Sequence, residues 1–204
     1  MSVEKRLRER GYKYIAGVDE VGRGPLAGPV VAAAVILPFV TKITGIKDSK
    51  ALSDRQRREL YAEITQKALT YSIGIVDEDL IDHYNILRAT KNAMHQAVMR
   101  LKVSPEYILV DGNFLIPHLK VPQKAIIKGD QKELSIAAAS IIAKVTRDDM
   151  MLGYDKQYPK YGFKNHKGYG TAEHLAALDE HGPSPIHRRS FKPVGQLKLF
   201  RAKK

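Results

Sequence analysis

Cysteine is absent from this chain of 204 residues. Its absence excludes a disulfide framework, a zinc site built on thiolates and a thiol nucleophile, and it is typical of proteins in a reducing compartment. Any bound metal must therefore be held by oxygen or imidazole ligands. The basic N-terminus has no apolar run followed by a small-residue cleavage site, so no secretory signal is expected. These features predict a cytoplasmic protein.

Long hydrophobic runs are missing as well. The longest apolar stretch covers residues 30–37, whereas a helix needs roughly 20 apolar residues to cross a bilayer. No membrane helix is therefore expected. Hydrophobic residues make up 44% of the chain and charged residues 27%. This globular composition excludes disorder of the whole chain and, at this length, predicts a single domain overall.

Negative charge is scarce, because 22 Asp and Glu residues stand against 34 Lys and Arg residues, for a formal net charge of +12. The imbalance is concentrated in residues 156–204, which carry 11 Lys and Arg but only 3 Asp and Glu. A polyanion is the expected partner. We interpret residues 1–155 as a core and residues 156–204 as a basic extension packed on it. The extension contains one short helix, which begins after the N-cap Thr171 and ends at Gly182.

Hydrophobic periodicity predicts an α/β fold with five strands and three further helices. The first helix has the clearest start, because Ser53 and Gln56 have the spacing of a capping box. The predicted helices cover residues 54–69, 79–101 and 135–151, and the predicted strands cover residues 14–18, 30–37, 71–76, 106–110 and 124–127.

Carboxylates follow three of these strands, namely Asp19 with Glu20, then Asp111, then Asp130. Carboxylates from different strands can converge in space, and such oxygen ligands suit Mg²⁺ or Mn²⁺. Each acid taken singly has a simpler interpretation, since Asp is a common turn residue, and Asp130 with Glu133 three positions later could be a helix cap. The adjacent pair Asp19 and Glu20 is harder to explain that way, because neighbouring like charges favour a bound cation.

A glycine-rich turn, Gly22-Arg23-Gly24, follows the first two acids. On its own it is typical of a tight turn between two strands. Two nucleotide-binding motifs do not fit. Arg23 and Gly24 stand where a phosphate-binding loop needs Lys and a hydroxyl residue, and position 27 is Ala where a dinucleotide-binding fingerprint needs Gly.

The segment 14–30, YIAGVDEVGRGPLAGPV, resembles the signature of bacterial ribonuclease HII. The similarity continues in order along nearly the whole chain, at residues 47–50, 110–112, 128–130, 135–148, 166–171 and 189–191. The resemblance implies a ribonuclease H-like fold, which is a mixed five-stranded sheet flanked by helices, with a helical C-terminal extension that helps to grip the substrate. The basic leader and tail are not explained by it.

By this resemblance Asp19, Glu20, Asp111 and Asp130 are the catalytic acids and hold two divalent ions, Mg²⁺ or Mn²⁺. The implied reaction is hydrolysis of the RNA strand of RNA–DNA hybrids and incision at single ribonucleotides in duplex DNA, with 3′-hydroxyl and 5′-phosphate ends. One ion would activate the attacking water and the other would stabilise the leaving 3′ oxygen. Such a clamp needs ions ~4 Å apart and a bridging carboxylate, for which we choose Asp19.

The resemblance also implies how ribose is distinguished from deoxyribose. The backbone of Gly22, Arg23 and Gly24 would approach the 2′-hydroxyl without obstruction by side chains. Tyr169 would contact the ribonucleotide and pack on the adjoining deoxyribose, although without the resemblance it would be interpreted as a surface aromatic residue.

Phosphate contacts are expected from Arg23, Lys50 and Lys128, although a lysine in so basic a chain is commonly a solvated surface charge. The expected partner is an RNA–DNA hybrid or a DNA duplex with embedded ribonucleotides. We expect a monomer to bind it, with no membrane involved. The seven histidines show no metal-ligand spacing, so none is assigned a role.

Two other functions agree with parts of the pattern. A nucleic-acid-binding protein without activity would need only the positive charge, but four acids beside a basic surface would repel phosphate. Another nuclease, or a transposase of the same fold, would share the carboxylates and the metals. Only the glycine turn and Tyr169 separate these enzymes by substrate.

Overall fold

A central sheet of five strands organises the computed structural model, which describes residues 2–46 and 52–196. The strands are β1 (Ile15–Val21), β2 (Val30–Ile36), β3 (Thr70–Val76), β4 (Tyr107–Asp111) and β5 (Gln123–Ile126). Their order across the sheet is β3-β2-β1-β4-β5. β2 runs antiparallel to β1 and β3, whereas β1, β4 and β5 run parallel to one another. The predicted mixed five-stranded sheet is confirmed.

Helices cover both faces of this sheet. They are α1 (Val3–Glu9), α2 (Asp54–Lys67), α3 (Glu78–Tyr84), α4 (Ile86–Met99), α5 (Gly129–Lys132), α6 (Leu134–Gln157), α7 (Phe163–His166) and α8 (Ala172–His181). The capping box predicted at the start of α2 is present. In the part of the chain that the structure describes, no helix combines the length and the apolar character needed to cross a membrane.

β2 shows how both faces of the sheet become buried. Every residue of β2 is buried. Its even-numbered residues pack in one apolar cluster with α4, and its odd-numbered residues pack in a second cluster with α2 and α6. Because side chains alternate between the two faces of a strand, a strand covered on both sides must be apolar at every position. The unbroken apolar run 30–37 is therefore the centre of a three-layer structure.

The single helix predicted over residues 79–101 is wrong, because two helices, α3 and α4, meet at Asn85. The backbone of Asn85 has φ = 75°, which no α-helix accommodates. Its N–H donates to the Ile81 carbonyl and ends α3, while its side-chain oxygen accepts from the N–H groups of Leu87 and Arg88 and begins α4. The apolar spacing continues through the break, so periodicity alone did not show it.

The basic leader forms α1, a helix that the sequence pattern did not predict. The Glu133 carboxylate accepts the N–H groups of Val3 and Glu4, both at 2.8 Å, and the Glu4 carboxylate accepts the N–H of Ser135 at 3.1 Å. These buried contacts tie α1 to the start of α6. There α6 touches β1, since a Cβ added at Gly17 would lie 2.1 Å from the carbonyl carbon of Ser135. Glycine at position 17 therefore lets α6 cross the sheet in direct contact with β1.

The segment after α6, residues 158–196, packs around the loop between β1 and β2. Two backbone hydrogen bonds of 2.8 Å tie it to that loop, from Leu26 N–H to the Gly168 carbonyl and from Gly28 N–H to the Ile186 carbonyl. The side chain of Thr171 caps α8 as predicted. The division into a core of residues 1–155 and an extension of residues 156–204 stays a prediction, and α6 runs two residues beyond that boundary.

Candidate active site

Four carboxylates lie at the carboxyl end of the parallel strands. β1 and β4 pair Val18 with Val110, so Asp19 and Asp111 come next on neighbouring strands. Asp130 belongs to α5, just beyond the end of the adjacent strand β5. Neighbouring parallel strands end at the same edge of a sheet, which is where ligands of α/β folds bind. The fold thus brings together acids that are as much as 111 positions apart in the sequence.

These acids share one cavity of about 370 Å³ with an aromatic side chain, and its walls include Asp19, Glu20, Asp111, Asp130 and Tyr169. The expectation that each acid directly follows a strand was wrong for three of the four acids. β1 continues to Val21 because its partner β2 pairs with it over that length, so Asp19 and Glu20 lie inside the strand. Asp130 lies in a helix rather than at the end of β5.

Asp19 is buried, with 5% of its surface exposed. Its Oδ1 accepts the N–H of Glu20 at 2.7 Å, and Ser140 of α6 hydrogen-bonds to the same carboxylate. Burial, followed by the negative charges of Glu20 and Asp111, raises the pKa of Asp19 well above its usual value of 3.8. The ionised carboxylate therefore needs a compensating positive charge.

Glu20 points to the same need. Its Oε1 accepts from Nη1 of Arg23 at 3.2 Å, while its Oε2 is buried and has no hydrogen-bond partner among the described residues. Burial raises the pKa of Glu20, although the Arg23 charge acts in the opposite direction. Across the strand, Oδ1 of Asp111 accepts the N–H of Gly129 at 2.6 Å.

The donor set fits a hard divalent cation. Carboxylate oxygens are the ligands that Mg²⁺ and Mn²⁺ prefer, and a cation would satisfy Oε2 of Glu20 and relieve the repulsion around Asp19. Within residues 2–46 and 52–196, no three or more acidic or histidine side chains are arranged so that they could hold one ion. The described side chains therefore do not form a site in which protein ligands alone complete the coordination of an ion. Their arrangement agrees with Mg²⁺ sites that use one or two carboxylates and complete the coordination with water and substrate phosphate.

Two buried arginines hold the loop between β1 and β2. Arg188 donates to the carbonyls of Gly22 at 2.6 Å, Gly28 at 2.7 Å and Arg23 at 3.1 Å. Arg147 of α6 donates to three further backbone carbonyls, two of which belong to this loop. Burial and the neighbouring Arg147 charge lower the pKa of Arg188 to about 9, which leaves it charged at neutral pH. Two positive charges therefore lie directly behind the glycine turn.

Glycine is required at position 22, where φ is +95° and an added Cβ would lie 2.4 Å from Nε of Arg147. At Gly24 an added Cβ would lie 3.9 Å from the Tyr169 ring, so the turn and the ring are neighbours. Tyr169 is 41% exposed, and its ring centroid lies 6.0 Å from the Arg147 guanidinium carbon. The turn and Tyr169 thus form one continuous surface beside the acids.

Two predicted phosphate contacts remain. Lys128 is exposed, adopts φ = 55° before α5 and does not line the cavity, and Lys50 lies outside the described residues. Three polar cavity residues were not identified from the sequence, namely Arg57 of α2 and Ser140 and Lys144 of α6. Ser140 and Lys144 are four positions apart on an otherwise apolar helix face, and that polar stripe is the signal that could have found them.

A ribonuclease H-like sheet with four carboxylates at the carboxyl end of its parallel strands defines a metal-dependent endonuclease. The family model described as "Ribonuclease HII" matches residues 16–194. The chain belongs to the ribonuclease HII family.

Individual relatives agree with this assignment. A "Ribonuclease HII" of Clostridioides difficile is 56% identical over 183 residues, which are 90% of this chain and 71% of the relative. The crystal structure of the ribonuclease H2 from Pyrococcus horikoshii has a TM-score of 0.81 at 27% identity and covers 94% of this chain and 100% of its own. RNase HII in the PCNA:RNase HII complex from Archaeoglobus fulgidus has a TM-score of 0.75 at 28% identity, with coverages of 88% and 95%. The ribonuclease H-like fold is confirmed.

Proposed function

We propose that this chain incises duplex DNA at single embedded ribonucleotides and hydrolyses the RNA strand of RNA–DNA hybrids, leaving 3′-hydroxyl and 5′-phosphate ends. Membership of the ribonuclease HII family supports cleavage of the hybrid's RNA strand. Incision at a single ribonucleotide is a further part of the proposal. One observation carries the proposal. The four acids line the same cavity as Tyr169, which adjoins the glycine turn, so a phosphate held at the acids would have its sugars beside that turn.

The proposed metal ligands are Asp19, Glu20, Asp111 and Asp130, with Mg²⁺ or Mn²⁺ as the ions. Two such ions, when bound, lower the pKa of an attacking water and stabilise the leaving 3′ oxygen. Asp19 is the proposed bridging ligand, because the charges of both Glu20 and Asp111 act on it. Asp19 would therefore be the carboxylate shared by the two ions.

Neighbouring groups orient these carboxylates and favour their ionised form. The N–H of Glu20 and the side chain of Ser140 hydrogen-bond to Asp19 and lower its pKa against the effect of burial. Arg23 does the same for Glu20 through its charge and its hydrogen bond. The protein thus fixes one carboxylate oxygen of Asp19 and one of Glu20.

The glycine turn supplies backbone groups that can distinguish ribose from deoxyribose. Gly22 and Gly24 carry no side chains to obstruct an approaching ribose, and the carbonyls of Gly22 and Arg23 are fixed by Arg188. A fixed backbone can hydrogen-bond a 2′-hydroxyl, which deoxyribose lacks. The Tyr169 ring, next to Gly24, is placed to pack on the adjoining sugar. The turn would then recognise the ribonucleotide by its 2′-hydroxyl. Tyr169 would recognise the sugar of the adjoining nucleotide.

Positive charge supplies affinity without sequence preference. The formal charge of +12 favours the phosphates of any duplex, and each contacted phosphate releases counterions. Arg23, Lys50 and Lys128 are proposed phosphate contacts. We propose that the chain acts as a monomer in the cytoplasm.

Three duplexes of one sequence test the proposed substrate. One contains a single ribonucleotide, the second has an RNA strand paired with DNA, and the third is all DNA. With Mg²⁺, we expect incision of the first beside the ribonucleotide, cleavage of the RNA strand in the second, and no cleavage of the third. Equal cleavage of all three would identify a nuclease that does not read ribose and would contradict the proposal.

A protein partner is proposed from the relative of Archaeoglobus fulgidus, which was solved in a complex with PCNA. Residues 197–200, outside the described residues, read Leu-Lys-Leu-Phe in an otherwise basic tail, a composition typical of a short docking peptide with apolar anchors. We propose that this tail binds a PCNA-type clamp. The double variant Leu199→Ala/Phe200→Ala should lose clamp binding in a calorimetric titration and retain cleavage, and unchanged clamp binding would contradict the assignment.

A further inference from the structure

Three histidines are buried together behind Tyr169, and no role in the proposed reaction has been given to them. His174, His187 and His166 are 0%, 1% and 7% exposed. The His166 and His174 rings stack with centroids 4.4 Å apart, and the His187 ring lies 5.1 Å from that of His174. All three rings also contact Phe163.

Hydrogen bonds link two of these rings to the backbone of Tyr169. Nδ1 of His174 is 2.9 Å from the Tyr169 carbonyl oxygen, and Nε2 of His174 is 2.9 Å from Nε2 of His187. On the far side, the backbone N–H of Ser184 lies 2.9 Å from Nδ1 of His187. The result is a continuous chain of groups from Ser184 to Tyr169.

The partners fix the proton positions in this chain. A carbonyl only accepts, so Nδ1 of His174 carries the proton, and a backbone N–H only donates, so Nδ1 of His187 does not. His187 therefore donates from Nε2 to the bare Nε2 of His174. Both imidazoles are neutral, and each has a single tautomer that satisfies its neighbours. Burial lowers the pKa of both rings, that of His187 to about 3, so the chain keeps this state at neutral pH.

His166 fixes the other side of the same tyrosine. Its Nδ1 accepts the N–H of Gly168 at 3.2 Å, and its Nε2 lies 2.8 Å from the Tyr161 carbonyl oxygen, to which it donates. Buried imidazoles therefore bind the Gly168 N–H, one residue before Tyr169, and the Tyr169 carbonyl itself. Glycines flank Tyr169 on both sides, and φ of Gly168 is +85°. A segment so rich in glycine needs such external contacts to hold one conformation.

We propose that His174, held in its tautomer by His187, is a positioning residue that sets the Tyr169 ring against the glycine turn. The inference rests on the proposed role of Tyr169 at the sugar and extends it to side chains that never touch the nucleic acid. The proposal predicts that replacing His174 changes the cleavage rate only when residue 169 has an aromatic ring.

A double-mutant cycle tests this consequence. The four proteins are the wild type, Tyr169→Ala, His174→Leu and the double variant, and the readout is single-turnover cleavage of the duplex with one ribonucleotide. His174→Leu removes one of two donors to the Tyr169 carbonyl, the other being the Thr171 N–H at 2.8 Å. We expect a slowing of about 3- to 10-fold, the effect of one net hydrogen bond. In the Tyr169→Ala background the same change should have no further effect, since coupled residues are not additive. Unfolding curves check that each variant is folded.

The outcomes separate the two hypotheses. Wild-type cleavage by Tyr169→Ala would contradict the proposed role of Tyr169 itself. If Tyr169→Ala is slow but His174→Leu is not, or if His174→Leu slows cleavage equally in both backgrounds, the positioning role is overturned. His83→Leu, at an exposed site on α3, is the matched control and should cleave as the wild type does.

Conservative variants keep the test decisive if His174→Leu does not fold. His174→Asn places an amide N–H near the former Nδ1 and should recover most of the rate, whereas recovery is not expected if only ring packing matters. His187→Gln retains a donor near Nε2 and His187→Leu does not. We expect His187→Leu to slow cleavage more than His187→Gln in the presence of Tyr169 and equally in its absence. The same rate for both His187 variants in the wild-type background would overturn the role of His187.

Discussion

Replacing Asp19 by Asn should separate catalysis from stability. Burial and the charges of Glu20 and Asp111 raise the pKa of Asp19, so its ionised form destabilises the folded protein when no metal is bound. Asn keeps the shape of the side chain and an oxygen that accepts the Glu20 N–H, and it removes the charge. We expect Asp19→Asn to abolish cleavage and, without metal, to be more stable than the wild type.

The size of the gain follows from the pKa shift. At a pH above both values, each unit by which the folded pKa exceeds the unfolded pKa is about 1.4 kcal/mol in the free energy of unfolding. For a chain of this length that is roughly 3–6 °C in Tm per unit. Because the folded pKa is raised, the gain is full at high pH. It declines as the pH falls below the folded pKa and is lost below the unfolded pKa, where Asp19 is neutral in both states.

Thermal unfolding with EDTA, at mildly alkaline and at acidic pH, measures this gain, and a cleavage assay with Mg²⁺ accompanies it. The matched control is Asp79→Asn, at an exposed acid of α3, which should stay within about 0.5 kcal/mol of the wild type. Mg²⁺ should raise the Tm of the wild type more than that of Asp19→Asn, since only bound ligand stabilises. A folded Asp19→Asn that is less stable than the wild type in EDTA, or that cleaves at the wild-type rate, would refute the reasoning.

Three further outcomes are expected. Tyr169→Phe should cleave the single-ribonucleotide duplex nearly as fast as the wild type, whereas Tyr169→Ala should be slowed roughly 5- to 150-fold, as expected for losing a ring contact of about 1–3 kcal/mol; equal rates for the two variants would remove the ring from recognition. Gly22→Ala should abolish cleavage while Gly11→Ala, at a similar positive φ but with open space around it, should only lose stability; wild-type cleavage by Gly22→Ala would contradict the need for a fixed turn. The pKa of His187 is lowered to about 3, so protonating this residue destabilises the folded protein. The free energy of unfolding should therefore be unaffected by His187 above pH ~6.5 and should fall by about 1.4 kcal/mol per pH unit below it. An NMR titration of His187 with a midpoint near 6.5 would contradict this.

The sequence correctly predicted features that depend on residues close together in the chain. The unbroken apolar character of residues 30–37 identified a buried strand, and the capping box of Ser53 and Gln56 marked the start of α2. The break at Asn85 was missed because it depends on a backbone conformation that apolar spacing does not report. Helix α1 has a local N-cap, Ser2, but two N–H groups of its first turn are bound by Glu133, more than a hundred residues away, and the sequence does not show that contact.

The active site also combines residues that the sequence predicted with residues whose roles depend on the fold. The acids were found from their positions near strand ends, but that Asp19 lies inside β1 follows from pairing with β2, which sequence spacing does not show. Arg147 and Arg188 were not identified because surface and buried arginines look alike in a basic sequence. Their burial depends on carbonyls of a loop that the fold places around them. His174 was missed for the same reason, since its partners become neighbours only after folding.

Metal dependence of incision at a single ribonucleotide tests the central claim most directly. The wild type is assayed under single-turnover conditions on that duplex, first with EDTA, then with excess Mg²⁺ or Mn²⁺, and Asp111→Asn is assayed beside it with the same metals. We predict no incision in EDTA, incision with either ion at the ribonucleotide to give a 3′-hydroxyl end, and no incision by folded Asp111→Asn. Incision that persists in EDTA, or that Asp111→Asn carries out at the wild-type rate, would contradict the claim that these carboxylates hold the catalytic ions.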